Sequence, residues 1–343
     1  MQHSLSSENK DSISEISLEM ASETRVRSKS FRNLLTFLKV LAGITLLFLT
    51  FRGIQVENLV GSILSADIAW LIGTLSMILL GLGLKLWRWR ILLGNFHIKI
   101  GLSRLFSAYF VGQATNIILP FRGGELVRLG YFAEEKKIIP AATLTILLEK
   151  YLDLLALTAC SILVSLKISL DNILDLRGFL LPITIIITIS LLLGILFGPL
   201  LWEKIVAMQL LPNRLTSWVD PMIQATKWLK NPLQFFIMLM LTTFIWSIMW
   251  LTNLWLFTSL RLPLGVTAGG LVLVLVYIGL LPALMPGNIG PFYFFASLAL
   301  VPFGILHESA VTYAVLLHAL VTLPPLIGGL VGIAIHSQPP TNQ

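Results

Sequence analysis

The chain has 343 residues, of which 56% are hydrophobic and only 12% charged, with a mean hydropathy of +0.87 and a formal net charge of +7. A soluble domain carries about a quarter of its residues as charges, so a water-soluble globular fold is excluded. The alternating segments of about ten residues that mark a transmembrane barrel are missing too, which leaves an all-α polytopic membrane protein.

Residues 1–30 are rich in Ser, Glu and Lys and too poor in apolar side chains to fold, so they are expected to form a disordered tail. The first apolar run starts too late and is too long for a signal-peptide core. It covers Leu34–Phe51 and is preceded by Arg25, Arg27, Lys29 and Arg32. Basic flanks stay on the cytoplasmic side, so the N-terminus is expected in the cytoplasm of a multi-pass cell-membrane protein. The second span is expected at 68–86, ending in the run KLWRWR (85–90), which reads as a cationic-aromatic interface anchor.

The next apolar segment, 105–119, is too short to span comfortably and is cut by Pro120; Lys136 and Lys137 follow it. With both ends on the cytoplasmic side, it reads as a re-entrant half-helix. Spans are then expected at 141–166 and 179–201, followed by a basic loop in which 213–230 has the spacing of an interfacial amphipathic helix. A span at 233–260 follows, and then apolar runs at 264–284, 292–306 and 310–335. No Lys or Arg follows Arg261, so charge gives no orientation there. About seven spans and two re-entrant breaks result. The transmembrane domain is expected over 31–336, with a short tail at 337–343.

Two interruptions share a composition. ILPFRGGE (118–125) and LMPGNIGP (284–291) each join a Pro and two Gly to apolar half-length segments. Pro ends or kinks a helix and Gly frees the backbone. Broken helices in corresponding halves of a transporter point to a site between structural repeats, with inverted repeats as one form. Two unrelated kinks would give the same composition.

The first break also carries charge. Arg122, Glu125 and Arg128 follow at steps of three, and Glu149 and Asp153 are four apart, so both carboxylates share a helix face. Lys150 points about 100° away on a helix of 3.6 residues per turn. Charges inside a bilayer persist when paired or when they meet water or substrate. Arg122 and Arg128 are the expected partners of the two carboxylates. A helix starting at Gly123–Gly124 would aim free N–H groups at an anion, unless Glu125 in its first turn takes them. A buried salt-bridge lock between two helices is the other reading of the cluster.

The pattern N-x-x-L-P-x-R-x-G-E-x-x-R (116–128), followed by E-K-x-x-D (149–153), resembles the transmembrane region of lysylphosphatidylglycerol synthases and of stand-alone flippase-like proteins. P-G-x-x-G (286–290) is similar to that family's second signature. The resemblance implies a binding site for a membrane lipid or lipid-linked substrate at Asn116, Arg122, Gly123, Gly124, Glu125, Arg128, Glu149, Asp153, Pro286, Gly287, Gly290 and Tyr293. Tyr293 stands where the family often has an acidic residue or His, and Lys150 where it usually has Arg.

The soluble aminoacyl-transferase domain of the full-length synthases has no counterpart here, so no enzymatic role is expected and no catalytic residue is assigned. With one cysteine, and five histidines lacking metal-ligand spacing, neither metal nor cofactor is expected. The basic residues flank apolar spans, so nucleic acid is not an expected partner. The leading reading is a translocase for an anionic phospholipid or polyprenyl-phosphate-linked lipid. A membrane enzyme using Glu149 or Asp153 as general base is an alternative, as is a non-transporting partner of a cell-envelope enzyme. Lys39 reads as a snorkelling side chain and His318 as a hydrogen-bonded helix residue.

Overall fold

A computed structural model describes residues 34–119, 123–135, 138–167, 231–282 and 285–336, with scattered positions between 182 and 220. The expected tails, the span at 179–201 for the most part, the amphipathic segment 213–230 for the most part, and Arg122 lie outside the described residues. Among the described residues every regular element is helical. In chain order these are α1 (Leu34–Phe51), α2 (Val56–Leu64), α3 (Ile68–Asn95), α4 (Leu102–Ile118), α5 (Gly124–Gly130) and α6 (Ile139–Ser165). After the partly described stretch come α7 (Pro232–Ser259), α8 (Val266–Gly279), α9 (Pro291–Leu298) and α10 (His307–His336).

Local chemistry sets the starts of several helices. Asp67 caps α3 by accepting from the N–H groups of Ala69 and Trp70, at 2.9 and 3.4 Å. Asn231 does the same for α7, with Pro232 occupying the first turn where no N–H is needed. Pro140 and Pro291 similarly sit in the first turns of α6 and α9. Helices α1, α3, α7 and α10 are each long and apolar enough to cross a bilayer. At 14 residues α8 rises about 21 Å, short of a hydrocarbon core about 30 Å thick. With the eight-residue α9 it occupies the interrupted stretch where apolar runs were expected at 264–284 and 292–306.

The two larger of three apolar centres among the described residues hold most of the helices together. The larger is built on α8, whose residues Ala268, Leu271, Val272, Val274 and Val276 are buried among side chains of α6, α7, α9 and α10. The smaller gathers Trp89 of α3, Leu105 and Tyr109 of α4, Phe132 and Ala142. Helix α10 packs along α4 through a glycine stripe. Gly328 meets Phe110, Gly329 meets Ala114, and Gly332 meets Ser107. From Gly329 to Gly332 the facing residue falls from Ala114 to Ser107, so the two run antiparallel.

The run KLWRWR, expected as an interface anchor, is divided by the fold, and Arg88 and Trp89 are corrected to core residues. Helix α3 continues to Asn95, and Arg88 and Trp89 are fully buried, while Trp87 is exposed with the Arg90 guanidinium 5.3 Å from its ring centre. A helix turns about 100° per residue. Neighbouring members of an apparently uniform motif therefore divide between the protein core and its surroundings.

Candidate functional site

Helix α5 folds back onto α4, and the glycines at this break serve close approach. Gly123 has φ −73°, a conformation open to any residue. A Cβ on Gly124 would overlap the Gly112 carbonyl oxygen, and a Cβ on Gly112 would stand 2.6 Å from Cγ of Arg128. The two backbones thus touch where both helices lack side chains. The far end of α5 is fixed as well: the Arg104 guanidinium on α4 donates to the carbonyl of Tyr131.

The leading N–H of α5 is not free. Gly124 N–H donates to Asn116 Oδ1 at 2.8 Å, and Asn116 Nδ2 donates to Glu125 Oε1 at 3.3 Å. Asn116 therefore caps α5 from the end of α4, and the expectation of an open N–H at Gly124 is corrected. Glu125, relieved of capping, pairs with Lys150 Nζ at 3.0 Å.

Three ion pairs radiate from one turn and a half of α6. Glu149 receives Arg128 in a two-pronged pair, Nη1 to Oε1 at 3.3 Å and Nη2 to Oε2 at 2.9 Å. Both side chains are almost sealed, at 2% and 3% exposure, and the guanidinium lies 4.0 Å from the centre of the Trp89 ring and 5.2 Å from that of Tyr109. Such stacking suits a weakly hydrated planar cation. Asp153, one turn on, pairs with Arg88 Nη2 at 2.9 Å and also accepts from Trp246 Nε1 at 3.2 Å. Arg88 Nη1 continues to Thr242 Oγ1 at 3.1 Å. The third pair, Glu125–Lys150, is the open one, with exposures of 25% and 52%.

The shared face of Glu149 and Asp153 is thus as expected, and so is the divergence of Lys150. The partner of Asp153 differs: Arg88 of α3 takes the place expected for one of the arginines at the break. Sequence reasoning missed Arg88 because its neighbours in KLWRWR satisfy an interface pattern. The available signal was spacing, since Lys85, Arg88, Trp89 and Leu92 step along one helical face.

The second break is built differently. Gly287 and Asn288 have φ +65° and +54°, and Gly290 has φ +93°. A Cβ on Gly290 would also overlap the Gly43 carbonyl oxygen of α1, so this glycine meets both a backbone and a contact requirement. His318 of α10 spans the turn, with Nε2 2.8 Å from the Gly287 carbonyl and Nδ1 2.9 Å from Tyr293 Oη. A carbonyl only accepts, so Nε2 carries hydrogen, and in the neutral ring Nδ1 accepts from the Tyr293 hydroxyl. Tyr293 is therefore a working polar group here, with His318 as its partner.

The two breaks are neighbours. The short turn Pro286–Asn288 touches α4. Gly124, Asn116, Glu125 and Lys150 form one bonded set, and the Arg128–Glu149 and Arg88–Asp153 pairs stand beside it, each group holding α6 through its own residue. Gly287, Gly290 and Tyr293 form a second set around His318 and α1.

A family model described as the lysylphosphatidylglycerol synthase TM region matches residues 36–329, most of the chain. No curated protein matches it.

Proposed function

Because the chain belongs to the lysylphosphatidylglycerol synthase transmembrane-region family, we propose that it handles lipid without modifying it, as a translocase for an anionic or phosphate-linked headgroup. The observation that carries this reading is the graded set of ion pairs on α6. Arg128–Glu149 is sealed, whereas Asp153 at 22% exposure and Glu125–Lys150 remain partly open. A sealed pair fixes helices α5 and α6. An open pair beside a broken helix can exchange its partner for a passing headgroup while the tails stay in the hydrocarbon. In this reading Glu125, Lys150 and Asp153 meet the headgroup, and Arg128, Glu149 and Asn116 hold the break in shape.

The charge pattern of the sequence supports a cytoplasmic N-terminus in a cell membrane. The test is headgroup movement in proteoliposomes containing fluorescent phosphatidylglycerol. Wild-type protein should accelerate it over empty vesicles, and Lys150→Gln should slow it. Equal rates with and without protein, across a panel of anionic lipids, would count against transport.

A second reading has its own support. Arg128, Glu149 and Arg88 are enclosed and paired as a structural lock would be. A scaffold for a cell-envelope enzyme would need nothing more. Stoichiometric copurification of such an enzyme, with function unaffected by Lys150→Gln, would favour it.

A further inference from the structure

Among the described residues the polar cluster does not balance. Four cations (Lys85, Arg88, Arg128 and Lys150) accompany three carboxylates (Glu125, Glu149 and Asp153). Each carboxylate already has its own cation within 4.0 Å, and Lys85 has none. Asp153 lies on the helix that faces Lys85's own, yet its Oδ1 is taken by Arg88 and Trp246. Among the described residues the Lys85 ammonium's hydrogen-bond partner is the hydroxyl of Tyr277 on α8, at a long 3.4 Å, and Asp153 attracts it without contact. That ring lies tilted against Trp246 of α7, with centroids 4.9 Å apart.

Lysines near helix ends commonly snorkel toward water. Lys85 turns inward instead, on the same face as Arg88 and Trp89, and remains half-buried. A charge with no carboxylate in contact in a low-dielectric region is costly, and a counter-ion at contact distance stabilises it further. A compact ammonium with rotatable donors suits a phosphate oxygen. We propose that Lys85, flanked by Tyr277 and Trp246, binds a phosphate-bearing anion that completes the charge balance of the cluster. On the lipid-handling reading, on which this inference rests, that anion is the phosphodiester of a headgroup seated where α3, α7 and α8 meet.

The test uses purified full-length chain in neutral detergent and short-chain phosphatidylglycerol as the probe. Short-chain phosphatidylcholine and inorganic phosphate serve as competitors. Lys85→Gln should weaken phosphatidylglycerol binding at least tenfold, Lys85→Arg should stay within about threefold, and Lys99→Gln in an exposed loop should change nothing. Asp153→Asn adds one unit of positive charge and should tighten binding severalfold, which keeps the proposal testable if Lys85→Gln fails to fold. Competition by inorganic phosphate, lost in Lys85→Gln, would assign the site to free phosphate; failure to compete assigns it to the lipid.

Wild-type protein that binds no anion, or Lys85→Gln that binds phosphatidylglycerol as wild type does, overturns the site. Movement of lipid is measured separately in proteoliposomes. Binding at Lys85 without movement leaves this site standing and removes the transport reading. Movement that is indifferent to Lys85→Gln does the reverse.

Discussion

At the first break the chain turns back through residues that are held by charge and by an amide. Asn116 caps α5, Glu125 reaches Lys150, and Arg128 locks into Glu149. At the second break no ion pair is present among the described residues; the His318 imidazole bridges Gly287 and Tyr293 while three positive-φ residues shape the turn. The two stretches have similar composition, a Pro and two Gly between apolar segments, yet their glycines answer different demands. Gly124 is required because Gly112 of α4 is in contact with it, and Gly290 because its backbone is left-handed and α1 is in contact too. Shared composition at a helix break therefore does not imply shared mechanics. The charged break has groups that can change partners, and the neutral one reads as a fixed joint.

The strongest way to break this comparison is a methyl group at each joint. Gly290→Ala adds strain at φ +93° to an overlap with Gly43, so a loss of about 2–5 kcal/mol is expected. Gly124→Ala meets overlap alone and should cost less, about 1–3 kcal/mol, unless α5 shifts off α4. Denaturant titration of both variants in the same micelles would show the order, and a reversed order would mean that the left-handed turn at 290 is not maintained in the membrane. Next comes the sealed pair. Glu149→Gln strands Arg128 and should destabilise by about 3 kcal/mol, whereas Glu149→Leu combined with Arg128→Met should recover most of that loss. A double variant no better than either single would show that the pair contributes more than its own attraction.

Smaller effects sharpen the difference between charge and neutrality. Asn116→Ala uncaps α5 and should cost about 1 kcal/mol. Tyr293→Phe removes one neutral hydrogen bond at the other break, again about 1 kcal/mol, and its effect on lipid movement should be the weaker of the two. The smallest stability change is expected at Lys150→Gln, below about 1 kcal/mol, because that pair is half-exposed. Its effect on lipid movement should nonetheless exceed that of Tyr293→Phe. This separation of stability from transport is what the open pair predicts.

Much of the site was legible before any coordinates. Glu149 and Asp153 on one face, Lys150 on another, and a helix restarting at Gly124 follow from period and composition. The pairing did not follow. Arg88 reaches Asp153 across 65 positions of sequence, and no local pattern distinguishes it from Arg90, which faces the other way over Trp87. Nor could sequence place His318 between Gly287 and Tyr293, because that depends on how α10 lies along α4. The expected free N–H at Gly124 failed for the same reason: its acceptor, Asn116, comes from the preceding helix once the chain has folded back.

Hydropathy and helical period thus determined that this is a helical membrane protein, roughly where its long apolar helices begin, and which carboxylates share a helix face. These are properties of a single segment in its solvent, and a single segment carries them. Which arginine neutralises which carboxylate, why each glycine must be glycine, and that among the described residues no carboxylate contacts Lys85 were decided only by packing. They depend on contacts between helices far apart in the chain, and a charge or a missing side chain has no partner until those helices meet.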